Sequence, residues 1–172
     1  MSRTEFSFLI HPSELEEVET KFDLNAESNE RSALSDRFGL QGIDIFKLSI
    51  IVKYHKNKNA VQVNGKLYAQ IIQNCVVSLV PIENTIDENF EVIFYNKNQL
   101  VSKNLFDEAE FETYENDTID LGELGAQELA LATNPYPRAE GIADETIGPY
   151  LPTKDNTKTN PFTALAAIKQ KK

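Results

Sequence analysis

Residues 60–82 read AVQVNGKLYAQIIQNCVVSLVPI, and the apolar residues of this stretch alternate with polar ones. The apolar members fall on odd positions: Val61, Val63, Leu67, Ala69, Ile71, Cys75, Val77 and Leu79. A period of two is typical of a strand with one buried face. The run is longer than an ordinary strand, so we expect a bend near Gly65 or Gln73 and an end at Pro81.

The neighbouring segments repeat this alternation. It recurs in EFSFLI (5–10), VETKFDLNA (18–26), GIDIFKLSIIVKYHK (42–56) and TIDENFEVIFYN (85–96). Two helices are predicted, the first capped by Ser28 or Asn29 and closed by Gly39, the second running from Asp120 to about Ala132. We therefore predict an α+β fold, in which two helices cover a strongly bent antiparallel sheet of about five strands, plus a short C-terminal helix.

The domain organisation follows from length and composition. A chain of 172 residues normally forms one domain, which we place at residues 1–138. Within it, residues 98–118 are acidic with scattered aromatic residues and are predicted to form a mobile loop. Residues 139–159 are rich in Gly, Pro, Thr and Asp and predict a flexible linker. Residues 160–172 predict a tail helix, because Asn160 and Pro161 suit a helix start.

The charge balance narrows the choice of partner. The formal net charge is −10 and the pI is about 4.7, so the surface as a whole repels phosphate backbones and suits a basic protein. The alternative is that the acidity only keeps the protein soluble. There is no apolar run long enough for a transmembrane helix and no signal-peptide pattern at the start, so we expect a cytoplasmic protein.

Catalytic motifs are missing from the sequence. It has no phosphate-binding glycine loop, no G-x-S-x-G and no H-E-x-x-H. The single cysteine, Cys75, is in phase with the apolar positions and is interpreted as a core residue. We expect no enzymatic activity, no metal and no cofactor. A metal-dependent ribonuclease that uses Glu108, Glu110 and Glu112 remains the enzymatic alternative.

One glutamate breaks the pattern of the second predicted helix. Glu128 falls among Leu121, Leu124, Leu131 and Ala132 when the residues are spaced by about 100°. A buried carboxylate needs a cation or backbone donors. Either Arg138, just past the NPYP turn, pairs with Glu128 and locks the turn onto the helix, or Glu128 faces a groove where a basic partner supplies the cation.

The nearest approach to a cationic patch for RNA lies around the first predicted hairpin. Lys47, Lys53, Lys56 and Lys58 lie with His55 on the polar side of one predicted strand and its hairpin loop. These residues are either phosphate contacts for RNA or an ordinary solvated strand face.

Several segments together resemble the YceD family of large ribosomal RNA subunit accumulation proteins, in its alphaproteobacterial form. The strongest is IDLGELGAQELALATNPYPR (119–138), supported by QNCVVSLVPIENTIDENFEVIF (73–94), RFGL (37–40) and NPFTALAAIK (160–169). Many members of the wider family carry a C-x-x-C pair where this chain has Cys75 and Ser78. That pair suggests metal binding in those members, but this chain has a serine at the second position and no later cysteine, so we predict no zinc site here.

The resemblance implies a non-enzymatic role in large ribosomal subunit biogenesis. The implied partner is a basic large-subunit ribosomal protein, precursor rRNA, or both, with no membrane and no small-molecule substrate, and we expect a monomer. The predicted contact surface joins residues 107–120 to the 120–138 segment, with these partner-binding residues: Asp120, Glu123, Glu128, Tyr136 and Arg138. The alternative from a different class is a generic acidic interaction module, whose binding modest salt would abolish.

Overall fold

The structure is a computed structural model that describes residues 5–98 and 111–141. Its strands are β1 (Leu9–Ile10), β2 (Thr20–Asn25), β3 (Gly42–His55), β4 (Ala60–Asn74), β5 (Pro81–Asn96), β6 (Phe111–Tyr114) and β7 (Ile119–Asp120). The helices are α1 (Ser28–Phe38) and α2 (Leu121–Ala132), with a 3-10 turn at Pro12–Glu14. Residues 60–74 of the opening stretch thus form one strand, β4, and Pro81 begins the next strand instead of ending this one.

Five strands form the main sheet in the order β2-β3-β4-β5-β6. The first four are antiparallel neighbours, but β6 runs parallel to β5, with Ile93 opposite Phe111. The sheet is therefore mixed, and the prediction of a purely antiparallel sheet was wrong. Antiparallel neighbours can be joined by a short hairpin, whereas a parallel neighbour requires a longer crossover connection. A separate two-stranded sheet pairs β1 with β7.

The core lies between one face of the main sheet and the two helices. The register places Val63 of β4 between Val52 of β3 and Val92 of β5, so the apolar positions of neighbouring strands share a face. Leu34 of α1 and Leu129 of α2 are completely buried against this face. The α+β class and the covering of the sheet by two helices are confirmed.

The ends of α1 follow local chemistry. The N-cap is Glu27, which forms a capping box with Glu30, so neither Ser28 nor Asn29 is the cap. Gly39 closes the helix at φ 64°, in the left-handed region that glycine adopts without strain, as predicted.

The described part of the predicted acidic loop includes a strand. Residues 111–114 form β6, and Glu115 and Thr118 are paired in a bridge. The first part of the loop (99–110) and the predicted tail helix (160–172) lie outside the described residues, as does nearly all of the predicted linker. Contacts divide the chain into units of 1–139 and 140–172, and the domain organisation stays a prediction. No helix in the described ranges is long and apolar enough to cross a membrane.

Candidate functional site

Asp120 is the N-cap of α2 and anchors the N-terminal segment to it. Its Oδ1 accepts hydrogen bonds from the backbone N–H groups of Gly122 (3.0 Å), Glu123 (3.1 Å) and Phe8 (2.8 Å). Its Oδ2 accepts from the Ser7 hydroxyl at 2.6 Å. The sequence suggested Asp120 as a partner contact, but these four bonds are internal and give it a role in holding the fold.

Glu123 joins the two helices through Arg37. The Arg37 guanidinium donates to both carboxylate oxygens of Glu123, at 2.8 and 2.7 Å, and to Glu5 at 3.1 Å. The bonds from Arg37 hold the pKa of Glu123 below its usual value, against the burial that would raise it. Arg37 lies in the RFGL segment and Glu123 in the segment of 119–138, so the structure connects two of the stretches quoted for the family resemblance.

The buried face of α2 differs from the one expected from its leucines. Small residues form much of it: a Cβ at Gly122 would lie 2.8 Å from the Phe6 carbonyl oxygen, and a Cβ at Gly125 2.1 Å from Leu48 Cδ1. Leu131, placed on the apolar side by the sequence, is 79% exposed. Glu128 therefore lies at the border of the buried face and is half-buried, not at its centre. Glycine contributes little to an apolar pattern, which is why counting leucines misplaced the face.

Glu128 lines a groove between α2 and the edge of the main sheet. The groove has a volume of about 580 Å³. Its described lining consists of Asn89, Phe90, Glu91, Val92, Phe111, Glu112, Glu128 and Leu131. Four of these residues are apolar and three are carboxylates. Of the two interpretations of Glu128, the one that places it at a groove is consistent with this position.

The NPYP turn contacts the loop between β4 and β5. The N–H of Val76 donates to the Pro137 carbonyl oxygen at 2.9 Å, and Tyr136 is 74% exposed. Arg138, the residue after Pro137, is also exposed. The loop itself exposes Val76, Val77, Leu79 and Val80. Sequence reasoning missed this apolar surface, because it extended the alternation past Asn74, where β4 ends.

Cys75 is completely buried at the start of this loop, as predicted. The Ser78 side chain and the backbone N–H groups of Ala139, Ser78 and Val77 donate to its sulfur and lower the pKa of Cys75 to about 6, while burial opposes them. The sulfur thus ties the loop to the chain that follows the NPYP turn. Among the described residues, no group of three or more His, Cys, Asp and Glu side chains is placed to hold a metal ion.

The basic residues near the first hairpin do not form a compact patch. Lys47 and Lys53 lie six residues apart on β3, which separates them by about 20 Å. Lys53 is paired with Glu19 at 3.3 Å, and Lys56 and Lys58 are exposed in the turn between β3 and β4. The three carboxylates of the ribonuclease alternative cannot be compared as a set, because Glu108 and Glu110 lie outside the part of the chain that the structure describes.

A mixed sheet and two covering helices define an α+β domain, and a groove lined by apolar residues and carboxylates lies beside α2. The sequence profile of the large ribosomal RNA subunit accumulation protein YceD matches residues 63–169, more than half of the chain. The protein therefore belongs to the YceD family. The family name assigns its members a role in the accumulation of large-subunit ribosomal RNA and describes no catalytic activity. Comparison with curated protein sequences and with solved structures gives no match.

Proposed function

We propose that the protein is a non-enzymatic factor in large ribosomal subunit biogenesis that binds a basic large-subunit ribosomal protein. The observation that carries this proposal is the groove between α2 and the sheet edge, whose described lining combines four apolar residues with Glu91, Glu112 and Glu128. Apolar contact supplies most of the binding free energy in such interfaces, while complementary charge selects the partner and speeds the encounter. A basic segment with interspersed apolar residues is the ligand that satisfies both.

The position of the groove within the family match favours this surface over the lysines. Every described residue of the groove lies within residues 63–169, the range that the family profile matches. Lys47, Lys53, Lys56 and Lys58 all lie before that range. A function shared by the family is therefore better supported at the groove than at the first hairpin. The net charge of −10 adds a long-range attraction for a basic protein.

Affinity purification of the tagged full-length protein from its own cells, with half of each sample treated with ribonuclease, tests the proposal. We expect a basic large-subunit ribosomal protein in both halves, because the groove binds protein and not RNA. Recovery of ribosomal proteins only without ribonuclease would instead indicate binding to precursor rRNA and refute the groove as the main contact. Recovery of neither would refute a direct role at the ribosome.

A double variant of the groove, compared with a matched control, tests whether the groove carboxylates contact the client. The double variant Glu112→Gln/Glu128→Gln removes two negative charges from the groove. We expect it to weaken client binding roughly tenfold, since two charge pairs of up to about 1 kcal/mol each are lost. The matched control is Glu16→Gln/Glu17→Gln, which removes the same charge from two exposed positions near the N-terminus. Equal losses in both double variants would show that only net charge matters.

The apolar part of the groove is tested separately. Leu131→Ser removes an exposed leucine from the groove, and Val18→Ser removes an apolar side chain of similar exposure (66%) outside it. We expect only the first change to weaken binding. Binding should also persist in part at high salt, because screening affects charge pairs and not apolar contact. Complete loss at modest salt would favour a generic acidic interaction module.

A further inference from the structure

Strand β5, the neighbour of β4 and β6 in the main sheet, has one edge that the described strands pair only in part. On one side it pairs with β4 from Pro81 through Tyr95. On the other side β6 covers only Ile93–Asn96. Among residues 5–98 and 111–141, no strand pairs with residues 81–92 on that side. These twelve residues present an edge about 40 Å long.

An open edge of this length is unusual in a stable protein. Unpaired N–H and C=O groups are a template for any extended chain, and proteins generally protect them with charge, proline or short strands. Here the strand begins with Pro81, and residues 81–92 carry four carboxylates and no basic residue: Glu83, Asp87, Glu88 and Glu91. All four are exposed. The edge is therefore protected against acidic and neutral strands but not against basic ones.

The carboxylates lie on both faces of the edge. Glu88 is in phase with the core-facing positions Ile86 and Phe90, while Asp87 and Glu91 point to the opposite face. Two of the carboxylates already have partners, since Asp87 pairs with Lys66 at 2.8 Å and Glu91 accepts a hydrogen bond from the neutral Gln62 side chain at 2.6 Å. A basic strand alongside would find carboxylates on either side of its own backbone plane.

The groove adjoins this edge. Its described lining includes Asn89, Phe90, Glu91 and Val92, the last residues of β5 before the pairing with β6 begins. Phe111, the first residue of β6, lines the groove as well. A chain that paired with residues 81–92 would therefore end where β6 starts, with its side chains against the apolar surface of the groove.

We propose that a basic, extended segment of a partner protein binds by adding a strand to β5 along residues 81–92, at the edge that none of the described strands covers. Strand addition uses the backbone hydrogen bonds of the edge for affinity and alternate side chains for selection. A second copy of this chain is a poor occupant, because two such edges would place the four carboxylates of each copy against one another. The inference rests on the proposed function, since it specifies how the basic client is held.

The probe is a ten-residue peptide of alternating lysine and valine, acetylated and amidated, added to the full-length protein. We expect saturable binding and, in amide hydrogen exchange followed by NMR, at least tenfold slower exchange at every second residue of 82–92. The alternation is diagnostic, because only the N–H groups that point away from β4 gain a new partner. Absence of binding, or binding without alternating protection, would overturn the inference.

Two N-methylated forms of the peptide provide the matched control. One carries methyl groups on its odd-numbered residues and the other on its even-numbered residues, with identical charge and composition. In an added strand only one set of amides faces β5, so one form should bind at least tenfold more weakly than the other. Equal affinities would indicate electrostatic capture without strand addition and would overturn the inference.

A charge-reversed variant tests whether the peptide binds at the edge of β5. Glu83→Lys/Glu88→Lys should weaken peptide binding at least tenfold, whereas Glu16→Lys/Glu17→Lys, with the same change in net charge, should weaken it less. Equal effects would overturn the assignment to β5. If the same amides are protected without peptide and sedimentation gives a dimeric mass, a second copy of the chain occupies the edge of β5. That result would also overturn the inference.

These experiments also distinguish strand addition at β5 from the proposed function as a ribosomal-protein-binding factor. If a ribosomal protein is recovered from cells through the groove but the β5 amides are unaffected by it, the inference fails and the proposed function stands. If the peptide adds as a strand but no ribosomal client is recovered, the proposed function fails and the edge remains a binding site for basic chains.

Discussion

Replacing Asp120 with alanine tests whether this residue holds the fold or contacts a partner. The variant loses a helix N-cap, which costs about 1 kcal/mol. It also loses the bonds from the Phe8 N–H and the Ser7 hydroxyl, each roughly 1 kcal/mol or more for a charged acceptor. The expected loss is about 2–4 kcal/mol of unfolding free energy. Urea unfolding followed by circular dichroism should show a midpoint about 1–2 M lower.

Asp120→Asn is the matched control. Asparagine is also a good N-cap and keeps an oxygen in the position of Oδ1, so its cost should stay below about 1 kcal/mol. If client binding depends on Asp120 only through the fold, Asp120→Asn should bind the client almost as well as the unaltered protein. A stable Asp120→Ala variant that has lost its client would refute this reasoning and restore Asp120 as a direct contact.

The other predictions concern the helix interface and the cysteine. Glu123→Gln should lower stability by about 1 kcal/mol at pH 7, because the Arg37 pair is lost. Since the folded pKa of Glu123 is depressed, this difference is present above the usual value of 4.5 and should shrink as the pH falls through the lower folded value, as urea unfolding at several pH values would show. Gly125→Ala should destabilise by about 1–2 kcal/mol despite better helix propensity, because Leu48 is too deeply buried to move aside; a more stable variant in thermal unfolding would contradict this packing. Cys75 should react with a thiol reagent only on unfolding, since its side chain is completely buried, and rapid reaction in the native state would disprove that burial.

Local signals in the sequence were read correctly where one interaction dominates. The alternation of 60–74 predicted β4, because burying one face of a strand leaves a period of two whatever its neighbours are. Asp120 and Ala132 predicted the ends of α2, since capping depends on the first and last turn alone. Gly39 predicted the end of α1 for the same reason.

Other features could be recognised only in the folded chain. The parallel pairing of β6, the exposure of Leu79 after the end of β4, and the face on which α2 packs all depend on residues distant in sequence. Gly125 is the clearest case, because a residue without a side chain leaves no apolar signal, yet it allows the helix to approach Leu48 closely.

The sequence by itself determined the acidic character, the α+β class and the family to which the chain belongs. It also determined the strands whose apolar residues alternate with polar ones and the helix ends that carry capping residues. Tertiary structure alone decided what each charged residue does. Asp120 bonds to the N-terminal segment and Glu123 to Arg37, whereas Glu128 lines a groove beside β5. The physical reason is that a carboxylate has the same chemistry at every position, and its role depends on the donors that folding brings within hydrogen-bond distance.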